Sequence, residues 1–485
     1  MTSESVTADQ AARQYLLGRI DYERTTPPVS EGRFPLDRMR DLLRRLGNPQ
    51  DGQQIVHVTG TKGKGSTAVM IASMLSAAGY RTGLFTSPHL LQLEERFAID
   101  GRYCTPAQLT QLIDRLRDPV AEMDHEEARR GGGHGPTFFE ITTAAAFLYF
   151  AQQNCQATVL EVGLGGRLDS TNVCQPLVSV ITSISLDHTK QLGSTLAAIA
   201  REKAGIIKPG VPVVSGVLPD EPRAVIEQVA RERGSRQWQL GTQFGYERFR
   251  LPEAVTGSRW AFHYWTEESY RVAAAAAMAP DLQQSWDSMR LSLAGPHQAH
   301  NATLALAATG LLRPHGFDLS EPVMRAGLER AHCPARVQIT SRAPARVLDA
   351  AHNEASIAAL LAALEEEFPG QRQIFLFAAS RDKDVLGMLR QLARSGHQLV
   401  LTTFRSNPRA TDVMDLQRWM QQVEAEQTPR PGTWWHIVED PQLAWRRAVQ
   451  LQGPQDVLCV TGSFFLVAEL PVEARPPLQP DNDHL

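Results

Sequence analysis

The run GTKGKGST places Gly60, Gly63 and Gly65 among Lys62, Lys64, Ser66 and Thr67, between the β-rich Ile55–Thr59 and a helical pattern. Glycine lets backbone N–H groups approach an anion closely, an ammonium adds a point charge, and a helix N-terminus favours negative charge. The chemistry this implies is phosphate binding. The run departs from G-x-x-x-x-G-K-[ST], because Val58 stands where the first glycine belongs and Gly65 separates Lys64 from Ser66. The competing reading is a glycine-rich β-to-α turn with a solvated lysine.

A second group of chemically capable residues follows. Glu161 ends the predicted strand 157–162 and leads into the glycine-rich GLGGRLDSTN. Asp187-His188 closes the predicted strand 178–184, and Glu202-Lys203 lies on a predicted helix over 196–204. Taken singly, a strand-end glutamate is ordinarily solvated and a lone histidine ordinarily structural. Beside a phosphate loop, at the carboxyl strand edge where open α/β sheets bind ligands, Glu161 and His188 have the donor types of magnesium ligands.

The elements that must position these groups alternate strand and helix. Two amphipathic helical patterns, AARQYLLGRI and LDRMRDLLRRLG, precede the loop. A strand over 81–86 is followed by an excursion over 87–101, a helix over 105–117, a charged surface loop over 126–135 and an apolar helix opened by TFFE at 137–140. Residues 236–293 change to short alternating runs with aromatics, which predicts a small antiparallel insertion. Gly295-Pro296 breaks the chain, and a second βα alternation runs from residue 346 to 461 without a phosphate loop of its own. The fold class expected is α/β: a phosphate-loop (P-loop) domain over 1–295 with the antiparallel insertion, and a doubly wound Rossmann-like domain over 296–485 whose proline-rich tail is disordered from about 471.

Composition narrows the class. The 485 residues are 42% hydrophobic and 21% charged with a net charge of −4, typical of a soluble globular protein and without the basic excess of a nucleic-acid binder. There is neither an apolar run of membrane-span length nor a signal-type N-terminus, so a cytoplasmic protein that binds no membrane is expected. The five cysteines are scattered and form no C-x-x-C pair, which argues against a disulfide framework or a zinc site.

In order along the chain, GTKGKGS, TSPHL with Glu95-Arg96, TFFE, EVGLGGRLDSTN, SISLDHTKQLGST, EKAGIIKPG, GPHQAHN, PARVQ, LDAAHN and DKD resemble the motifs of folylpolyglutamate synthases and bifunctional dihydrofolate synthase/folylpolyglutamate synthases, members of the Mur-ligase superfamily. The resemblance implies an ATP-dependent ligase that adds L-glutamate to folate, and also to dihydropteroate, through an acyl phosphate, with one or two Mg2+ ions. It implies that Gly60, Thr61, Lys62, Gly63, Lys64, Gly65, Ser66 and Thr67 hold the phosphates of ATP, and that Asn301, Arg336, Asp349 and His352 also contact the nucleotide. Ser87, Glu161, His188 and Lys203 would serve the metal, Lys203 as a carbamate, and Lys64, His188 and Lys203 would be catalytic. The partners implied are small molecules only (ATP, L-glutamate, folate or dihydropteroate), and a monomer is expected. Lys62 stands where bacterial members often have asparagine, and Ala350 and Glu354 depart from the LDGAHNP pattern. Asp349 has the competing reading of a helix N-terminal acid, and Lys203 that of a solvated lysine paired with a nearby acid. The alternatives are a Mur-type ligase for another carboxylate, a non-catalytic ATP-binding homologue, and a P-loop GTPase or kinase. The last is disfavoured by the second domain.

Overall fold

The computed structural model describes residues 7–22, 36–131, 134–251, 260–267, 286–394, 397–426 and 434–475. They form two compact units. The first takes the chain through Phe249, Trp260–Arg290 and His300–Ala331; the second takes Arg250 and Leu251, Leu291–Ala299 and the chain from His332 on.

In the first unit, β1 (Ile55–Thr59), β2 (Thr82–Phe85), β3 (Phe97–Ile99), β4 (Arg102–Tyr103), β5 (Ala157–Glu161), β6 (Val178–Ile181), β7 (Val213–Ser215) and β8 (Gln237–Gln239) form one sheet in the order β4-β3-β2-β5-β1-β6-β7-β8. From β2 to β8 the strands are parallel, and β3 and β4 extend the sheet as an antiparallel edge. The central strands are buried along their whole length, as a sheet covered on both faces requires. The phosphate-loop strand β1 thus lies between β5 and β6, and the loops after all three emerge at one edge.

Helices flank this sheet: α1 (Ala8–Leu17), α2 (Leu36–Arg45), α3 (Lys64–Ala77), α4 (Pro106–Arg129), α5 (Phe138–Gln152), the short α6 (Thr189–Leu192), α7 (Leu196–Ala204) and α8 (Asp220–Glu232). One core cluster joins α1, α2, α4 and α5, through residues such as Leu16, Leu42, Leu116 and Phe147. Helix α4 runs past the predicted end at 117 and through Pro119, so that Glu126–Arg129 is helical rather than loop. The cause is an apolar stripe, Leu109, Leu112, Ile113, Leu116, Val120 and Met123, that continues across the proline and is buried throughout. Arg45 of α2 reinforces it by pairing with Glu122 and Glu126.

The predicted insertion is only partly separate. WQLG belongs to the main sheet through β8, while β9 (Phe244–Arg250), β10 (Trp260–Thr266) and β11 (Trp286–Arg290) form a three-stranded sheet. Residues 252–259 and 268–285 of that expectation lie outside the described residues.

In the second unit, β12 (Gln338–Arg342), β13 (Ala345–Leu348), β14 (Gln373–Phe377), β15 (Gln398–Leu401), β16 (Trp434–Ile437) and β17 (Val457–Thr461) form a sheet in the order β12-β13-β17-β14-β15-β16. It is parallel except for the β12 edge. The disorder expected from about 471 does not hold for Val472–Ala474, which is a single helical turn with Ala474 buried; residues 476–485 lie outside the described residues.

The expected boundary at 296 is also displaced. It falls at the start of the helix Pro296–Gly310, whose residues from His300 on belong to the first unit, as does the helix Glu321–Arg330. The reason is a close helix pair. The Ser73 hydroxyl donates to the Gly327 carbonyl at 2.6 Å, and a methyl group on Gly327 would lie 2.5 Å from Met74 Cα. Gly327→Val should therefore lower stability by about 1–3 kcal/mol, the usual scale of overpacking. Urea unfolding checks this, and an unchanged midpoint would mean the helices do not need the approach.

Candidate active site

The glycine loop is pinned by backbone and hydroxyl contacts to the segment after β6. Thr61 N–H donates to the Ser183 carbonyl (2.7 Å), Lys62 N–H to Ser183 Oγ (3.0 Å), the Thr182 hydroxyl to the Lys62 carbonyl (2.6 Å), and Ser185 N–H to Thr61 Oγ1 (3.1 Å). A methyl on Gly60 would lie 1.8 Å from Thr182 Oγ1, and one on Gly63 would lie 2.2 Å from Asn301 Oδ1. Gly63 has φ 83° and precedes α3, a left-handed entry that glycine adopts without a steric cost. The loop thus lies against Asn301 and opens directly onto the α3 N-terminus at Lys64. Thr67 Oγ1, in the first turn of α3, is buried with no hydrogen-bond partner among the described residues.

The expected metal residues gather around this loop. Glu161 ends β5, its Oε2 accepts Ser87 N–H (3.2 Å), and the same oxygen would lie 3.4 Å from a methyl on Gly65. Lys203, on α7, is 4% exposed and its Nζ donates to the Gly60 carbonyl at 2.9 Å. Burial, followed by the nearby Lys64 charge, pulls its pKa well below that of an ordinary lysine. The reading of Lys203 as a solvated lysine paired with an acid does not hold, and its neighbour Glu202 pairs with Arg167 instead.

His188 is placed differently from expectation. β6 stops at Ile181, because Thr182, Ser183 and Ser185 spend their polar groups on the glycine loop. His188 therefore sits on the connecting segment, with φ 50° and ψ 40°, beside Asp187. Among the described residues no three His, Cys, Asp or Glu side chains form a metal cluster. Of the expected ligands only Glu161 and His188 are of those types.

Sequence reasoning gave no role to His57, in the middle of β1, or to Asp169 and Thr171. His57 is fully buried, and its Nε2 lies 2.8 Å from Thr171 Oγ1. The Thr171 hydroxyl donates to Asp169 Oδ1 at 2.5 Å, so it accepts from Nε2–H of a neutral imidazole. Asp169 Oδ2 accepts Leu164 N–H (2.9 Å), which ties the GLGGRLDSTN loop under the phosphate-loop strand. The signal was a histidine alternating with apolar residues in a strand, which reads as ordinary core. Burial, with Lys208 second, pushes the His57 pKa down to about 3. The unfolded chain gains this proton below the ordinary histidine pKa while the folded chain does not. The stability contribution is thus full above that value and is lost as pH falls toward about 3, with a slope of about 1.4 kcal/mol per pH unit. Replacing His57 with Gln should flatten this part of the acid-unfolding curve by about that slope. An unchanged slope in urea titrations across this range would contradict it.

In the second unit, Asp349 follows β13 and is buried, its carboxylate accepting Val337 N–H (2.9 Å) and Ala351 N–H (2.7 Å). Burial raises its pKa, against the Arg336 charge and these two donors. It is not the helix cap: Asn353 caps the helix Glu354–Glu367 by accepting Ser356 N–H. The Arg336 guanidinium lies over the Phe464 ring at 4.8 Å, and His352 Nδ1 is 2.9 Å from the Ala350 carbonyl.

The Mur ligase middle domain matches residues 58–309, and the Mur ligase glutamate ligase domain matches residues 335–464. A dihydrofolate synthase/folylpolyglutamate synthase of Bacillus subtilis is 34% identical over 466 residues, covering 96% of this chain and 98% of its own. The chain is a member of the folylpolyglutamate synthase family of Mur ligases. Two solved structures have the same fold over nearly the whole length. One is a Mycobacterium tuberculosis folylpolyglutamate synthase complexed with ADP, with TM-score 0.80, 29% identity and coverage of 96% and 97% of the two chains. The other is an FPGS–AMPPCP–folate complex, with TM-score 0.75, 28% identity and coverage of 95% and 98%. The middle-domain match ends inside the helix Pro296–Gly310, so this family's first domain extends past the break at Gly295-Pro296.

Proposed function

We infer that this folylpolyglutamate synthase family member is an ATP-dependent ligase that joins L-glutamate to the carboxylate of a folate, and also of dihydropteroate. The observation that carries the reading is the glycine loop opening α3, with Glu161 and the buried Lys203 packed on it. A carboxylate is a poor electrophile; transfer of the ATP γ-phosphoryl group makes it an acyl phosphate, which the glutamate amine attacks, releasing phosphate and the amide. Gly60, Gly63 and Gly65 present backbone to the phosphates, Thr61 holds the loop in place through its N–H on the Ser183 carbonyl, Ser66 and Thr67 add hydroxyls, and Lys64 offsets the charge that develops during transfer. Asn301, against Gly63, and Arg336, Asp349 and His352 are assigned to the nucleotide. The buried Asp349 suits a hydrogen bond to a ribose or phosphate hydroxyl better than contact with bare anion.

The residues present fit magnesium. Glu161 and Ser87 provide oxygen donors and His188 a nitrogen, and the Thr67 hydroxyl, without a hydrogen-bond partner among the described residues, lies in the first turn of α3. Lys203 fits as a carbamate, because burial favours the neutral amine that reacts with carbon dioxide and the product carries the anionic oxygens that a hard cation takes. When bound, the ion supplies charge neutralisation at the transferring phosphoryl group.

We place the enzyme in the cytoplasm as a monomer. No helix among the described residues is long and apolar enough to cross a membrane, and no disulfide joins the described cysteines.

ADP release by purified protein should require ATP, L-glutamate and either a reduced folate or dihydropteroate together. Stimulation by a nucleotide-linked peptide precursor and by neither pterin would assign a different carboxylate substrate. Absence of turnover with any carboxylate would leave a non-catalytic homologue. Lys203→Ala should reduce turnover by at least about a hundredfold, the low end for an electrostatic group at the reacting centre, with part restored by a short-chain carboxylate such as acetate. A fully active variant, or an intact mass showing unmodified lysine in the magnesium-loaded protein, would remove the carbamate.

A further inference from the structure

Lys62 lies inside the phosphate loop, and its position there suggests a second phosphate-binding cation. The structure directs its ammonium elsewhere. Lys62 Nζ pairs with Asp187 Oδ2 at 2.9 Å, and the Asp187 side chain is only 11% exposed. The backbone of Lys62 is fixed at both ends: its N–H donates to Ser183 Oγ, and its carbonyl accepts the Thr182 and Ser183 hydroxyls. The stem therefore leaves a rigid point and spans to the segment that carries His188.

Asp187 holds that segment with its second oxygen. Oδ1 accepts the His188 backbone N–H at 2.9 Å and lies 3.8 Å from His188 Nε2. His188 has the left-handed conformation, φ 50° and ψ 40°, which is uncommon for a residue with a Cβ. A single carboxylate thus connects the phosphate-loop ammonium to the residue that the proposed metal site uses.

We propose that Lys62 is a positioning residue that acts through Asp187 to hold His188 in its metal-binding conformation, and is not a phosphate ligand. This rests on the assignment of His188 to the metal made above. The role belongs to lysine: a shorter amide at this position lacks the length and charge to reach Asp187 in the same way.

The test is ADP affinity measured by calorimetry, in excess chelator and in magnesium, for the wild type, Lys62→Met, Asp187→Asn, the double variant and Lys62→Arg. Without metal, Lys62→Met should bind ADP within about twofold of wild type, the spread allowed for independent sites. The gain in affinity that magnesium gives should fall by about fivefold or more in Lys62→Met and equally in Asp187→Asn, with the double variant no worse than either, as for two members of one network. Lys62→Arg should recover most of the gain. If Lys62→Met does not fold, Lys62→Gln, which keeps part of the stem, takes its place in the same series. A loss on the order of tenfold in ADP affinity without metal would make Lys62 a phosphate ligand and overturn the proposal. So would losses that multiply in the double variant, or a full magnesium gain in Lys62→Met while the wild type shows one. A wild type that gains nothing from magnesium would overturn the metal assignment itself, and the proposal with it.

Discussion

Close backbone contact between the glycine loop and the segment after β6 is the constraint on which the site depends. Thr182 Oγ1 occupies space that any side chain on Gly60 would need, and Asn301 does the same at Gly63. Because both glycines lack a Cβ, the Thr61 and Lys62 backbone groups can be satisfied by Ser183 and Thr182 instead of by water. Two strand ends, β1 and β6, are thereby locked into one rigid rim, and the carboxylate of β5 joins it at Gly65. Preorganisation of this kind is what phosphoryl transfer demands, since there is little covalent chemistry for the protein to perform.

Desolvation governs the buried titratable groups within each unit. It is the leading cause of the altered proton affinity of Lys203, His57, Asp169 and Asp349 alike. For His57 and Asp169 the result is a neutral imidazole and a carboxyl held by donors, a hydrogen-bonded tie that fixes where the GLGGRLDSTN loop leaves β5. For Lys203 the same physics draws proton affinity well below that of an ordinary lysine while its Nζ donates to the Gly60 carbonyl. One physical cause thus acts on groups that tie the fold together and on a lysine that touches the glycine loop.

The parallel sheets and the phosphate loop were legible because buried strands, turn glycines and helix starts leave local patterns. Glu161 and His188 were singled out by their place after strands, although His188 lies well beyond β6. Other features left no local mark. Thr182 and Ser183 read as ordinary β-formers, and their contacts to the loop depend on a residue far away in sequence. The length of α4 was hidden by Pro119 and a charged run, since only packing against α1, α2 and α5 reveals the stripe that crosses the proline. The allegiance of the helix Glu321–Arg330 to the first unit was likewise invisible, being decided by one glycine against Met74. Asn301, Arg336, Asp349 and His352 were named through family resemblance and not through spacing.

The central claim is that the carboxylate substrate is activated by phosphorylation before the amine attacks. Its most direct test uses a folate whose terminal carboxyl carries heavy oxygen, turned over with ATP and L-glutamate, with the released inorganic phosphate analysed by mass spectrometry. The account predicts that the phosphate carries one oxygen from the substrate carboxyl per amide formed. Phosphate free of the label, alongside normal amide formation, would contradict it.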